Sequence, residues 1–240
     1  MHEHIFEHIT ELKKLWHEVF GDAPSVIDAY FDTFYAPDLT ATEYIDGELA
    51  AAAYVMPAGE LTGEKCAHIY AVAVYPKFRG RGLGIAVTNR AVEKAKDAGY
   101  TAVILHPASE SLFGYYEKHC GFHTCFYSGT KTVAVSAAPL EETDIDTYIA
   151  CREKYLKDIP HVVLSYDILD FFTKCGGKLY TSETGCAAVE NIDGTLYFRE
   201  ALGAVGADNA VLCCPDGDTP TGMIHGKADF ERGWMGLTLE

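Results

Sequence analysis

Tyr75 to Gly84 reads YPKFRGRGLG. Pro76 interrupts the extended run before it, and Arg79 and Arg81 alternate with Gly80, Gly82 and Gly84. Glycine lacks a Cβ, so a loop rich in it admits a ligand close to the backbone. Upstream, AHIYAVAV (Ala67 to Val74) is apolar on both faces and predicts a central strand. Downstream, Leu83, Val87, Ala91, Ala95 and Ala98 share one helical face, Arg90, Glu93, Lys94 and Asp97 lie away from it, and Gly99 ends the helix. Strand, glycine loop and helix together aim free N–H groups and a positive dipole end at an anion. The arginines add full charges and several donors.

Two nucleotide motifs are excluded. A P-loop needs Gly-Lys-Ser/Thr, but Ile85 and Ala86 follow Gly84. A dinucleotide fingerprint follows directly on the first strand of a parallel unit. Here Tyr75 to Phe78 intervene, and ATEYIDGELAAAAYVMP before them reads as an antiparallel hairpin turning at Asp46-Gly47. The pattern R-x-x-G-x-G fits at Arg79, Gly82 and Gly84, after V-x-V-x-P at Val72, Val74 and Pro76. With the strand TAVILHP and the segment YYEKHCGF, Leu61 to Phe122 resembles the acetyl-CoA-binding part of the GNAT superfamily of N-acetyltransferases.

The resemblance implies a site. The strand matching Val72, Ala73 and Val74 pairs through its backbone with pantetheine. Arg79 and the loop Gly80, Arg81, Gly82, Leu83, Gly84 and Ile85 hold the pyrophosphate. Ser109 stands where many relatives carry an asparagine on CoA. The strand matching AHIYAVAV carries a bulge and splays from TAVILHP, admitting the thioester. Tyr116 is the acid for the departing thiolate. Tyr115 rivals it, because one extra residue separates Tyr116 from Gly121-Phe122 relative to Y-x-x-x-G-F. For a base the residues offer His68 first, then Tyr70, His106, Glu43, Glu48 or the terminal carboxylate of Glu240. Water relaying the proton to solvent is another route, and Cys66 as a covalent acetyl carrier another.

The resemblance also implies an α/β fold, a mixed and mostly antiparallel sheet flanked by helices. Residues 1–136 are expected to form the catalytic GNAT domain. From Pro139 the plan restarts, so residues 137–240 are expected to form a smaller, degenerate GNAT-like half of a tandem protein. DIDTYIACREKYLK and YDILDFFTKC read as helices, and GCAAVENIDGTLYFREAL as a hairpin. The string E-x-I-D-G-x-L occurs at Glu43 and again at Glu190, which suggests a duplication without the glycine loop. VLCCP, TGMIHGK and WMGLTLE read as three strands that extend the first sheet or wall the acceptor site.

Composition limits the partners. The 240 residues carry a net charge of −16, which disfavours nucleic acid and anionic membranes and favours a cationic amine. No apolar run approaches the ~18 residues of a membrane span. The start MHEHIFEHITELKK does not read as a signal peptide, so a cytoplasmic protein is expected. The eight cysteines form no C-x-x-C pair and read as reduced core thiols. His4 and His8 read as solvated, and no metal is expected. The expected activity is transfer of acetyl from acetyl-CoA by direct attack of a primary amine on a small molecule or peptide. The alternative is a catalytically silent CoA-binding sensor. Oligomeric state is not legible.

Overall fold

The computed structural model describes residues 2–132, 140–205, 210–226 and 228–235. The apolar spacing of the N-terminus becomes α1 (His2–Phe20), and Pro24 opens α2 (Pro24–Thr33), where its missing N–H is harmless. β1 (Thr40–Ile45) and β2 (Glu48–Leu61) form the expected hairpin. Its turn residues Asp46 (φ 50°) and Gly47 (φ 83°) are both left-handed, as a two-residue turn between twisted strands requires. β3 (Glu64–Val74), α3 (Leu83–Asp97), β4 (Ala102–Leu105), α4 (Glu110–Cys120) and β5 (Phe122–Thr132) follow.

The alanines at 50–53 are fully buried because helices press on both faces of the sheet. Ala51 and Ala53 pack with Val87, Ala91 and Ala95 of α3, while Ala50 and Ala52 face Trp16 and Tyr30. The Trp16 ring lies 4.9 Å from Tyr30, 5.1 Å from Tyr54 and 5.5 Å from Tyr70, an aromatic knot joining α1, α2, β2 and β3.

The remaining elements are β6 (Glu141–Glu142), α5 (Ile145–Leu156), β7 (Val162–Leu164), α6 (Tyr166–Lys174), β8 (Lys178–Ser182), β9 (Gly185–Ile192), β10 (Thr195–Gly203) and β11 (Val211–His225). They do not make a separate sheet. One 11-stranded sheet runs β1-β2-β3-β4-β11-β10-β9-β8-β6, with β5 on β11 and β7 on β2. β11 pairs antiparallel with β5 along its length and with β4 at Met223–His225, and parallel with β10 at Val211 and Leu212. The expected strands VLCCP and TGMIHGK are thus one strand, whose register slips between Cys214 and Thr219. The boundary at 136/137 lies outside the described residues, as do the side chain of His4 and residues 236–240 of the expected last strand.

The shared I-D-G string does not join equivalent hairpins. The first copy links the first two strands of its antiparallel set, and the second links the last two of β8-β9-β10. Asp193 (φ 50°) and Gly194 (φ 85°) adopt the same turn as Asp46 and Gly47, so turn chemistry accounts for the match. What does recur is order: two helices, three antiparallel strands, and a parallel partner for the third.

Beneath β10 lies a buried polar cluster. Glu200 accepts hydrogen bonds from Tyr148 (2.7 Å), Arg152 Nε (2.8 Å) and Trp234 Nε1 (2.5 Å). Arg152 also donates to the Val162 carbonyl at 2.8 Å. A bulge at Arg199 breaks the alternation of β10, so Phe198 and Glu200 are buried on opposite faces of the sheet.

Candidate active site

β3 and β4 pair in parallel only from Cys66 to His68, opposite Ala102 to Ile104. Beyond His68 they part. Tyr70 faces Tyr54 and Ala73 faces Ala52, so Ala71 and Val72 together oppose Ala53. This is a β-bulge, and Ala71 sits at φ 48°, an uncommon conformation for a residue with a Cβ. A cleft of about 450 Å³ occupies the gap. His68 to Val72 form one wall, Leu105 and His106 another, and Leu112 and Tyr116 of α4 a third. Trp16, Phe20 and Asp22 cover it. None of these three is among the site residues named from the sequence.

The glycine–arginine loop is exposed beside this cleft. Gly80 (φ 75°) and Gly82 (φ 76°) are left-handed, and a Cβ at either would meet nothing within 4 Å. Glycine is therefore needed there for conformation, and the surface above the loop is open. Gly82 is the N-cap of α3, which leaves the first-turn amides of Leu83, Gly84 and Ile85 at the helix start. Arg79 Nε donates to the Val74 carbonyl at 3.3 Å, and Arg81 lies over the Phe78 ring at 5.6 Å. Ser109 is the N-cap of α4 but makes no capping bond; its hydroxyl meets that of Ser111 at 3.1 Å.

The two tyrosines occupy different places. Tyr116 is buried and lines the cleft. Burial, then Cys120 and Tyr115, hold its phenol above the ordinary value. Tyr115 turns to α3: its hydroxyl would lie 2.9 Å from a Cβ on Gly84, and it accepts a hydrogen bond from the Ile85 backbone.

The candidate bases separate as well. His68 is buried, and burial, with His106 adding, lowers its pKa to about 3. It is neutral at neutral pH and a weak base. His106 Nδ1 donates to the Thr221 carbonyl of β11, which leaves the basic lone pair on Nε2. Tyr70 lines the cleft and stacks on Tyr30 at 5.8 Å. Glu43 pairs with Arg90 at 2.7 Å and Glu48 pairs with Lys77; neither lines the cleft. Glu240 lies outside the described residues. Burial, then Cys125, pushes the Cys66 thiol up to about 12, which suits a core thiol rather than a nucleophile. Among the described residues no group of three His, Cys, Asp or Glu could hold a metal, and no helix is long and apolar enough to cross a membrane.

His68 also predicts a pH dependence of stability. Its folded value lies below the unfolded value of about 6.5. As pH falls below about 6.5 the unfolded chain binds this proton first, so the contribution is present above that pH and is lost on the way down to about 3. Urea titrations should show unfolding free energy falling by up to about 1.4 kcal/mol per pH unit from this group. His68→Gln should flatten that slope; an unchanged slope would assign it to other groups.

Residues 6–122 match the acetyltransferase (GNAT) family. Residues 6–122 thus form a GNAT-family segment. A rice protein (Oryza sativa subsp. japonica), a probable glucosamine 6-phosphate N-acetyltransferase 2, is 50% identical over 60 residues. The match covers 25% of this chain and 35% of that protein, so the chain spans about a third of its curated relative. A GCN5-related N-acetyltransferase from Anabaena variabilis superposes with a TM-score of 0.68 at 15% identity, covering 91% of this chain and 70% of that one. One from Kribbella flavida gives 0.61 at 16% identity, covering 90% and 68%. At such identity the likeness is one of fold. It reaches well beyond residue 122, so the GNAT neighbours share the architecture of the second half too.

Proposed function

We propose that this GNAT protein is an acetyl-CoA-dependent N-acetyltransferase acting on a primary amine by direct attack in the cleft between β3 and β4. The observation that carries the reading is the Ala71–Val72 bulge, which lines that cleft one short loop away from the glycine–arginine turn. The name of the rice relative supports it.

This chain's residues fit the cofactor. Past His68, Val72, Ala73 and Val74 have no partner on β4, so that edge is open to the amides of pantetheine. The amides from Gly80 to Ile85, with Arg79 and Arg81, suit the pyrophosphate, and Ser109, at the start of α4, is offered to the coenzyme as well. Tyr115 accepts from the Ile85 N–H and gives it up when the pyrophosphate takes that donor. Acetyl-CoA, when bound, supplies the activated acetyl group. The bulge frees a backbone N–H to polarise a carbonyl in the cleft. Tyr116 keeps its proton to alkaline pH and gives it to the departing sulfur. His106 Nε2, rather than the weakly basic His68, takes the proton of the attacking amine. The second half is a degenerate GNAT-like copy, residues 137–240, that lost the loop and walls the acceptor site. The setting is cytoplasmic.

The test follows free thiol while acetyl-CoA meets a panel of amines. Thiol release with an amine supports the transferase. Binding with no release across the panel would favour a silent CoA-binding sensor. Tyr116→Phe is expected to slow release about 100-fold; unchanged turnover would remove Tyr116 from the chemistry.

A further inference from the structure

The geometry points to a second pocket, built from both halves of the chain, that holds the far ammonium group of an aliphatic diamine acceptor. The inference rests on the reading of the cleft as the site of transfer. A cavity of about 230 Å³ adjoins the cleft, and Asp22 and Tyr70 line both. Its other walls include Phe171, Phe172 and Cys175 from α6 and its end, and Glu190 and Ile192 from β9.

The lining is suited to a cation on an alkyl chain. The Tyr70 ring stands 5.5 Å from Trp16 and 6.5 Å from Phe171, both roughly edge-on. Aromatic faces beside a carboxylate attract an ammonium group. Asp22 supplies the carboxylate at the junction, and its Oδ2 is fixed by the Trp16 indole N–H at 2.7 Å. Glu190 Oε2 is paired with Arg199 Nε at 2.6 Å, whereas Asp22 Oδ2 meets the neutral Trp16 indole. The field is negative: burial pushes the Cys175 thiol up to about 11, with Glu190 and Asp22 adding to the rise. The rims are apolar, Phe20 being 43% exposed at the cleft and Ile192 44% exposed at the second pocket. A monoamine would fill the cleft alone. A diamine places one nitrogen near the bulge, passes its methylenes by Tyr70, and leaves the other nitrogen among the rings. A phosphate there would face Asp22.

Calorimetry on the full chain, alone and with CoA, decides it, using cadaverine, pentylamine and glucosamine 6-phosphate. Cadaverine should bind about tenfold more tightly than pentylamine, which corresponds to about 1.4 kcal/mol. Glucosamine 6-phosphate should bind more weakly than cadaverine. Ile192→Lys, an exposed change that sets a cation at the rim, and Asp22→Asn should each bring the cadaverine-to-pentylamine ratio close to one. No preference for cadaverine in either state, tighter binding of glucosamine 6-phosphate, or a ratio that survives Ile192→Lys would overturn the pocket. Thiol release with acetyl-CoA separates the two readings. Selective cadaverine binding without release keeps the pocket and removes the transferase; equal release with both amines does the reverse.

Discussion

Gly82→Val should weaken coenzyme A binding by at least about 100-fold, close to 2.7 kcal/mol. Gly82 is the residue from which α3 starts, at φ 76°. A β-branched side chain resists that conformation at a cost of about 1–3 kcal/mol. Relief of the strain turns the peptide and swings the amides of Leu83, Gly84 and Ile85 away from the opening. Several charge-assisted hydrogen bonds are then lost together. Because a Cβ at Gly82 meets open space, Gly82→Ala tests the conformational component alone and should fall between wild type and valine. Calorimetric titration with coenzyme A gives the affinity, and circular dichroism shows whether the fold persists. A folded Gly82→Val protein of native affinity would take the loop out of the site.

Arg152→Met should lower the unfolding free energy by about 3–5 kcal/mol, the range for removing one partner of a buried ion pair. Both Arg152 and Glu200 are fully buried. Without the guanidinium, the Glu200 carboxylate keeps only the neutral donors of Tyr148 and Trp234. The cost extends to how the halves join. Trp234 N–H donates to the Pro160 carbonyl at 2.7 Å, and Gly233 N–H to the Cys125 carbonyl of β5 at 2.8 Å. The same short segment thus holds the loop between α5 and β7, β10 and β5. The double variant Arg152→Met, Glu200→Gln should recover part of the loss, since no unpaired charge is left, and because Arg152 already has one buried nitrogen without a partner. Urea denaturation of the set checks this. A loss below about 1 kcal/mol would mean the carboxylate is rehydrated or neutralised on its own.

The glycine–arginine loop and α3 were legible because their signals are local: a proline, left-handed glycines, and apolar residues at helical spacing. The hairpin at Asp46-Gly47 was legible for the same reason. The bulge at Ala71 was expected only through the family resemblance, since AHIYAVAV has no residue that announces it. Which of Tyr115 and Tyr116 lines the cleft depends on one helical position, which the spacing alone does not resolve. The same is true of His68, whose weakness as a base comes from neighbours distant in sequence. β11 was misread because Pro215, Gly217 and Pro220 look like a break; in the sheet they are absorbed by a slip of register. Trp16, Phe20 and Asp22 come from one short stretch, but the cleft they cover and the pocket shared with α6 and β9 exist only where distant segments meet. No window of sequence holds them.

The insertion of β11 beside β4 has a cost in time. His106 and Thr221 touch across 115 positions of chain. A ribosome has finished the glycine–arginine loop, both of its flanking strands and the helix above them long before the strand that closes their edge emerges. Until then β4 offers unpaired backbone to any neighbour, a template for aggregation. A topology so rich in distant contacts folds slowly, so nascent chains of this protein should depend on chaperones until residue 225 is free of the exit tunnel.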